Sequence, residues 1–171
     1  MELNMYDFLT SHMWITYSIT AAALFIALLR TKLLHNLKPI IIEGSRIPAF
    51  LSNFAPLTIG AITVFPFVIT RAPKGAMTDT TRRHETIHFH QTMELLIVGM
   101  LVIYLYDWIK GKIKYRNDWE SDVTPRGYKY ESAGNKAYYR IRAEQEAYVN
   151  ENIEGYLANR KRWQWIRKYN V

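Results

Sequence analysis

The chain of 171 residues contains no cysteine. This absence excludes a disulfide framework, a thiolate metal site and a cysteine nucleophile, and it leaves His, Asp and Glu side chains to hold any metal ion. Internal repeats and low-complexity tracts are also absent, so nothing indicates a repeat architecture. An apolar share of 49% is enough for one domain with its own core and excludes disorder of the whole chain.

Basic side chains clearly outnumber acidic ones in the second part of the chain. Residues 110–171 carry 14 Lys and Arg against 8 Asp and Glu, whereas residues 1–109 carry 8 against 7. A basic segment rich in aromatic residues favours an anionic membrane leaflet, and no motif of a nucleic-acid-binding fold is present. We therefore expect a lipid bilayer as partner rather than nucleic acid. The residues expected at the lipid headgroups are three tryptophans, Trp119, Trp163 and Trp165, and the interleaved basic residues Arg160, Lys161, Arg162, Arg167 and Lys168.

Charged residues are absent from 13–29, a segment of 17 residues. As a helix, this segment reaches the lower length limit for crossing a hydrocarbon core of about 30 Å. Glu2 and Asp7 precede it, and three basic residues follow it: Arg30, Lys32 and Lys38. Because basic flanks favour the cytoplasmic side, we predict a single-pass membrane anchor over 1–38 and a cytoplasmic metal-binding domain over 39–171. The alternative for the apolar segment is a buried core helix.

Three further stretches predict secondary structure. Residues 50–70 are rich in Ile, Val, Thr and Phe and predict a strand, which Pro66 confines to a sheet edge or a bulge. A helix is predicted over 82–109, and one or two helices over 135–167 with a break near Gly155. The expected fold class is therefore mostly α with a small edge sheet (α+β).

The sequence His84-Glu85-Thr86-Ile87-His88 is an HExxH motif at the start of a predicted helix. Residues four apart lie on the same face of a helix, so both imidazoles can reach one Zn²⁺ ion. Glu85 lies about 100° around the helix, where it can act on a metal-activated water without binding the metal. The motif therefore predicts a zinc site with Glu85 as the catalytic residue.

A catalytic zinc site usually has a third protein ligand, and Glu144 is the candidate. On a helix, Glu144 shares an apolar stripe of small residues that should pack inward, and a buried carboxylate needs a partner such as a metal. The alternative is an ion pair of Glu144 with Arg140 or Arg142. Glu146 points about 200° away and is expected to face solvent.

Three polar residues follow the HExxH motif closely. His90 faces nearly the opposite side of the helix from His88 and is expected to lie on a polar face or near the site without binding the metal. Gln91 lies one turn beyond His88, and Glu94 lies within two turns. Either of these two side chains is placed to hold a ligand ring in position.

The segment 95–109 is apolar and about 22 Å long as a helix, which is short for a second span. If this segment crossed the bilayer, the HExxH motif and Glu144 would lie on opposite sides and could not bind one ion. The metal site therefore predicts that 95–109 is part of the core or dips into the membrane.

The pattern HExxHxxQ, an apolar helix and a later E-x-E-A stretch resembles the gluzincin class of zinc metallopeptidases. This resemblance implies His84, His88 and Glu144 as ligands, Glu85 as general base, a minimal zincin-like core, and an edge strand at LTIGAITVF beside the substrate cleft. From about Leu57 onward, the chain is also similar to small bacterial and phage-encoded HExxH membrane proteins. Where many membrane gluzincins have Asp after the E-x-E-A stretch, this chain has Tyr148.

The function expected from these features is membrane-associated, zinc-dependent hydrolysis of peptide bonds in a peptide or protein substrate. Tyrosines on the Glu144 helix are candidates to stabilise the oxyanion, namely Tyr138, Tyr139 and Tyr148. The alternative is a metal-stabilised structural protein without activity, associated with a membrane or a virion. Glu85 favours the enzyme, because a purely structural metal site has no need of this residue.

Overall fold

The computed structural model describes residues 5–29, 37–55 and 58–171. Two compact units are present, Met1–Leu37 and Lys38–Val171. The first unit contains helix α1, Met5–Leu29, which includes the predicted span. Three charged residues that helped to set its predicted orientation lie outside the described residues: Glu2, Arg30 and Lys32.

A three-stranded mixed sheet opens the second unit. Its strands are β1, Ile40–Ile42, β2, Ala61–Val64, and β3, Phe67–Thr70. The spatial order is β1-β3-β2, with β1 parallel and β2 antiparallel to the central β3. Both β1 and β2 therefore have a free edge within this sheet. Helix α2, Ile47–Ser52, connects β1 to the hairpin.

The strand predicted over 50–70 is correct only in part. Residues 50–52 belong to α2, and residues 61–70 form the β2–β3 hairpin. Pro66 lies in the two-residue connection between these strands rather than within one of them. A connection suits proline because the residue has no N–H to give to a strand ladder.

The longest element is helix α3, Asp79–Lys114, which begins before residue 82 and continues past residue 109. Thr78 caps its start, since Thr81 N donates to Thr78 Oγ1 at 3.2 Å. At Leu96 the backbone has φ 59° and ψ 169°, a conformation that costs a residue with a side chain about 1–3 kcal/mol. This interruption separates a polar half that carries HExxH from an apolar half. By length and composition alone, α3 is long and apolar enough to cross a membrane.

After α3, the chain turns back and packs along it. Four short helices follow: α4, Ala133–Tyr139, α5, Arg142–Asn150, α6, Tyr156–Asn159, and α7, Gln164–Lys168. Helices α3 and α4 approach closely at Gly111, where a Cβ atom would lie 3.1 Å from Ala137 Cβ. The return brings α5 beside the polar half of α3.

The helical prediction for 135–167 needs one correction. The region forms four helices rather than one or two, and α4 ends before Arg140 while α5 begins at Arg142. The predicted break near Gly155 is confirmed, because Gly155 has φ 74° immediately before α6. A positive φ of this kind suits glycine, which has no Cβ to clash with the backbone.

The core of the second unit lies where α5 and α7 pack against α3. Its buried residues are Met100, Ile141, Ala143, Trp165 and Tyr169. The expectation that Trp165 and Arg160 lie at lipid headgroups is wrong. Trp165 is fully buried and its Nε1 donates to Glu94 Oε2 at 3.0 Å, and Arg160 is 5% exposed. A tryptophan in a core satisfies its single N–H with an acceptor of this kind. Trp119 and Trp163 are half-buried.

Candidate metal centre

The three predicted ligands meet where α5 packs on the polar half of α3. His84, His88 and Glu144 are 6%, 8% and 3% exposed. His88 Nε2 lies 3.1 Å from His84 Nε2 and 3.3 Å from Glu144 Oε1. His84 Nε2 lies 3.5 Å from Glu144 Oε2. This buried group could hold a metal ion.

The spacing of these atoms agrees with tetrahedral coordination. Bonds of about 2.0–2.2 Å from zinc to nitrogen or oxygen, at tetrahedral angles, place neighbouring ligand atoms about 3.3–3.6 Å apart. The two Nε2 atoms lie 3.1 Å apart, and the nearest Glu144 oxygens are Oε1 at 3.3 Å from His88 and Oε2 at 3.5 Å from His84, so both carboxylate oxygens face the imidazoles. One ion can therefore contact all three residues without a large movement of the backbone.

The outer nitrogens of both imidazoles bond to acceptors, which fixes the inner nitrogens as ligand atoms. His84 Nδ1 lies 2.7 Å from Glu151 Oε2, and His88 Nδ1 lies 2.7 Å from Gln91 Oε1. Since a carboxylate and an amide oxygen only accept, each Nδ1 must carry the proton. In the neutral imidazoles, both Nε2 lone pairs then point toward the Glu144 carboxylate. Three electron-rich groups that converge in this way are stabilised by a cation.

A second observation also fits a cation at this place. Glu144 Oε2 is buried and accepts no hydrogen bond from the described residues. Its companion Oε1 accepts a hydrogen bond from the hydroxyl of Tyr104 at 2.9 Å. A buried carboxylate oxygen without a donor is costly unless a positive charge neutralises it.

The electrostatics of the cluster favour positive charge. Burial by itself lowers the pKa of the His84 imidazole, but the neighbouring carboxylates of Glu144 and Glu151 outweigh burial and raise it to about 10. Burial likewise favours the neutral form of Glu144, but His88 and His84 lower the pKa of its carboxyl well below the usual range. A metal ion must displace protons from such a site, so its affinity increases with pH.

The position of Glu144 depends on an ion pair at the start of α5. Arg142 binds Asp107 through two hydrogen bonds, each 2.8 Å long, and Asp107 is fully buried. Asp107 Oδ2 also accepts a hydrogen bond from Arg142 N at 3.2 Å, which satisfies one of the free N–H groups of the first turn. Helix α5 is thus anchored to α3 two residues before the ligand. Arg142 pairs with Asp107 and Arg140 with Asp122, so the alternative that either arginine pairs with Glu144 is wrong.

Glu85 lies on α3 beside the edge strand β2. It is 7% exposed, and its Oε2 accepts a hydrogen bond from Thr63 Oγ1 at 2.7 Å. Glu85 is not part of the ligand group, as expected from its place in HExxH. Through this contact, the edge strand β2 lies beside the part of α3 that carries His84 and His88. Residues 61–64 of the LTIGAITVF segment thus form an edge strand next to the site.

Glu151 orients the His84 ring, and the sequence analysis did not identify it. It is 2% exposed and is held by Arg126, whose Nε and Nη2 donate to its two carboxylate oxygens at 3.2 and 3.1 Å. Burial raises the pKa of the Glu151 carboxyl, but His84 and Arg126 together lower it, which keeps it charged. A carboxylate therefore supports a ligand ring from position 151, seven residues beyond Glu144, although Tyr148 occupies the place where many membrane gluzincins have Asp.

Gln91 orients the His88 ring, which confirms one of the two candidates. Its Nε2 donates to Ala143 O at 3.0 Å and to Glu146 Oε2 at 2.7 Å, so its Oε1 faces His88. Glu94 does not touch a ligand ring and instead accepts hydrogen bonds from Arg160 and Trp165.

The expectation that Glu146 faces solvent is wrong. It is fully buried, and it accepts hydrogen bonds from Arg160 at 2.9 and 3.0 Å and from the hydroxyl of Tyr156 at 2.7 Å. Arg160 comes from the segment after α6, which covers the face of α5 that the isolated helix would expose. Glu146 therefore supports Gln91, and through it His88.

The three tyrosines that are candidate oxyanion donors differ in which residues their rings contact. The ring of Tyr148 packs edge-on against that of His84, with centroids 4.6 Å apart. Tyr139 contacts Tyr148, and Tyr138 lies beside Tyr104. Burial raises the pKa of the Tyr138 hydroxyl, and the charge of Glu144 raises it further, so this hydroxyl stays protonated.

One further histidine, His90, and one further tyrosine, Tyr104, lie close to the candidate ligands in the sequence or in the structure. His90 is 6% exposed and therefore does not lie on a solvated polar face, and it is not part of the candidate ligand group. Tyr104 contacts a ligand directly but was not identified. The feature of the sequence that could have identified Tyr104 is its hydroxyl group within the apolar stretch 95–109.

Replacing Glu151 by Ala is expected to lower metal affinity by about 10–100-fold, because the His84 ring loses the acceptor that orients it. Glu151→Gln keeps an acceptor oxygen and should lose less affinity. Competition with a fluorescent zinc chelator measures both variants, and Glu154→Ala, an exposed residue, is the control. Equal affinities for wild type and Glu151→Ala would contradict this role.

Comparisons with known proteins give no match. The chain matches no family model, no curated protein and no solved structure.

Proposed function

We propose that this protein is a zinc-dependent, gluzincin-like peptidase that hydrolyses peptide bonds at the His84, His88 and Glu144 centre. The observation that carries the proposal is the convergence of two buried imidazoles and one buried carboxylate, close enough together to hold one metal ion, beside Glu85. Two imidazoles and one carboxylate form the ligand set of several zinc peptidases, and that set leaves a fourth position for water or substrate. The donor set fits zinc better than Mg²⁺ or Ca²⁺, which prefer oxygen ligands.

The residues of the chain divide the proposed reaction between them. Zinc bound there supplies a Lewis acid that lowers the pKa of water and polarises a carbonyl. Glu85 accepts the proton of the attacking water and delivers it to the leaving amine. Thr63 holds the Glu85 carboxylate through its hydroxyl. Tyr148 is the candidate oxyanion donor best placed beside a ligand, because its ring packs on His84.

The edge strand suggests how a substrate binds. Strand β2 has one neighbour in the sheet, β3, and its Thr63 contacts Glu85. An extended peptide can add to such an edge through main-chain hydrogen bonds. The proposed substrate class is therefore an extended segment of a peptide or protein.

Zinc content and peptide cleavage together test the proposal. The detergent-purified protein is expected to hold about one zinc ion per chain and to cleave a peptide library, with activity lost to a chelator and restored by zinc. His84→Ala and Glu144→Gln should lose the metal and the activity, whereas Glu154→Gln should keep both. An unmutated protein without bound metal would refute the site. Bound zinc without any cleavage would favour the alternative, a metal-stabilised membrane or virion-associated structural protein.

We also propose that α1 anchors the protein as a single-pass helix with the metal-binding unit on the cytoplasmic side. The apolar segment 13–29 lies within α1, and basic residues follow it. A topology reporter fused after Lys38 is expected to report the cytoplasm. A report from the opposite side would contradict this orientation.

A further inference from the structure

The apolar half of α3 exposes a continuous apolar face. Between residues 96 and 109, each exposed side chain is aliphatic or tyrosine: Leu96, Ile97, Val98, Leu101, Val102, Leu105, Tyr106 and Ile109. Val98 is 73% exposed and Val102 is 63% exposed. Large exposed apolar faces on a protein usually bind a partner or a membrane. We call this surface the α3 apolar face.

The polarity of this half-helix is the reverse of that of a helix on a water-soluble domain. Asp107 points inward and is fully buried against Arg142, and Tyr104 reaches inward to Glu144. A helix that borders water buries its apolar side chains and exposes its charges. Here the charge is inside and the aliphatic side chains are outside, which is the arrangement expected against lipid.

The opposite side of the same half-helix is covered by protein. Helices α4 and α5 pack along it, with a close approach at Gly111 and the buried Asp107–Arg142 pair. The exposed apolar residues extend over 14 positions, or about 20 Å, less than the roughly 30 Å of a hydrocarbon core. A helix that is apolar on one side and covered on the other fits a position along one leaflet.

A cluster of cations lies at the end of the α3 apolar face. Residues 110–116 include four basic side chains and no acidic one: Lys110, Lys112, Lys114 and Arg116. All four are exposed, and in the described part of the chain none of them forms an ion pair with a carboxylate. Unpaired cations beside an apolar surface match the order of acyl chain and phosphate in a phospholipid.

The structure also has a cavity at this boundary. It measures about 440 Å³ and is lined by Trp108, Ile109, Lys112, Ile113, Arg116 and Ala133. Lys112 Nζ lies 5.0 Å from the centroid of the Trp108 ring. The cavity therefore combines an aromatic and aliphatic wall with two cations, which suits a phosphate attached to an apolar chain.

We propose that the α3 apolar face lies among the acyl chains of an anionic leaflet and that the cavity at Trp108, Lys112 and Arg116 holds the phosphate of an anionic phospholipid. A second copy of the chain is a poorer occupant. Its identical face would present four more cations and no anion, so the cations would remain unpaired. Lipid headgroups provide the complementary charge.

Depth-dependent quenching tests the first part of the proposal. Because the chain has no cysteine, a fluorophore on Leu105→Cys reports one position of the full-length protein in phosphatidylcholine and phosphatidylglycerol vesicles. We expect quenching by doxyl lipids labelled near the headgroup, and protection from iodide. A fluorophore on Lys74→Cys, an exposed residue outside α3, should show the reverse.

Three outcomes would overturn the placement along a leaflet. Exposure of the Leu105→Cys label to iodide would show that water covers the face. Protection from both quenchers would show that a second copy or another protein covers it. Quenching mainly by doxyl groups at the chain ends would show a helix that crosses the bilayer.

Native mass spectrometry tests the headgroup site by counting phosphatidylglycerol bound to the detergent-solubilised protein. Each basic residue near an anionic lipid surface contributes about 1 kcal/mol, or roughly fivefold, so Lys112→Glu with Arg116→Glu should lower occupancy by at least about tenfold. Arg71→Glu with Lys74→Glu makes the same charge change elsewhere and should keep wild-type occupancy. Equal losses in the two double variants would overturn the site. Neither readout involves the metal, so the result is independent of the peptidase proposal.

Discussion

Replacing Glu85 by Gln is expected to lower kcat for peptide cleavage by at least about 100-fold while the zinc content stays at the wild-type level. Glutamine has nearly the shape of glutamate but cannot accept a proton from water. Its amide oxygen can still accept the hydrogen bond from the Thr63 hydroxyl, which is 2.7 Å from the present carboxylate. The substitution therefore removes the general base with little change in packing.

The measurement combines zinc analysis with steady-state kinetics on the same preparation. Glu43→Gln is a matched control, because Glu43 also accepts a hydrogen bond, from Gly75 N at 2.8 Å, but belongs to no metal-binding group. Unchanged cleavage by Glu85→Gln would indicate a contaminating peptidase or a different mechanism. Loss of zinc from this variant would show that Glu85 supports the site rather than acting on water.

Replacing Arg160 by Met is expected to lower the free energy of unfolding by about 3–5 kcal/mol. Arg160 is the cation shared by two buried carboxylates, Glu94 and Glu146, and its side chain is 2% exposed. Burial favours the neutral form of Arg160, but the hydrogen bonds and charges of Glu94 and Glu146 keep its pKa above the usual range. Without this cation, two negative charges remain buried near each other.

Denaturant unfolding in a fixed detergent measures the loss. Arg167→Met is the control, because Arg167 is exposed and forms no ion pair within the described residues. Adding Glu94→Gln and Glu146→Gln to Arg160→Met should recover part of the stability, since the buried charges are then removed. A loss no larger than that of Arg167→Met would contradict the shared-cation role.

The candidate metal ligands could be predicted from the sequence because their relative positions depend mostly on local helix geometry. His84 and His88 are one helical turn apart, so any helix through this segment places them together. Glu144 was identified from an apolar stripe along one long helix, although that helix is in fact broken between α4 and α5. The stripe survives the break because α5 still turns the same face toward α3.

Other residues of the centre could not be predicted, because their partners lie far away in sequence. Glu146 was placed in solvent from the periodicity of its own helix, but Arg160 from a later segment covers that side. Glu151 bonds to His84 from 67 positions away, and no spacing rule connects the two residues. Trp165 was placed at a membrane surface from its basic neighbours, but it fills the core.

The sequence by itself determined which side chains are available to hold a metal ion and which segments are apolar or basic. With no cysteine and with an HExxH motif, it limited metal ligands to imidazole and carboxylate, and its apolar and basic segments predicted contact with lipid. Only the tertiary structure decided which side of each helix is covered. The return of α4 and α5 along α3 brings Glu144 to the histidines and buries Asp107, and it leaves the aliphatic side of α3 exposed. The physical reason is that burial depends on which distant segments pack together, whereas helical spacing is set by the local backbone.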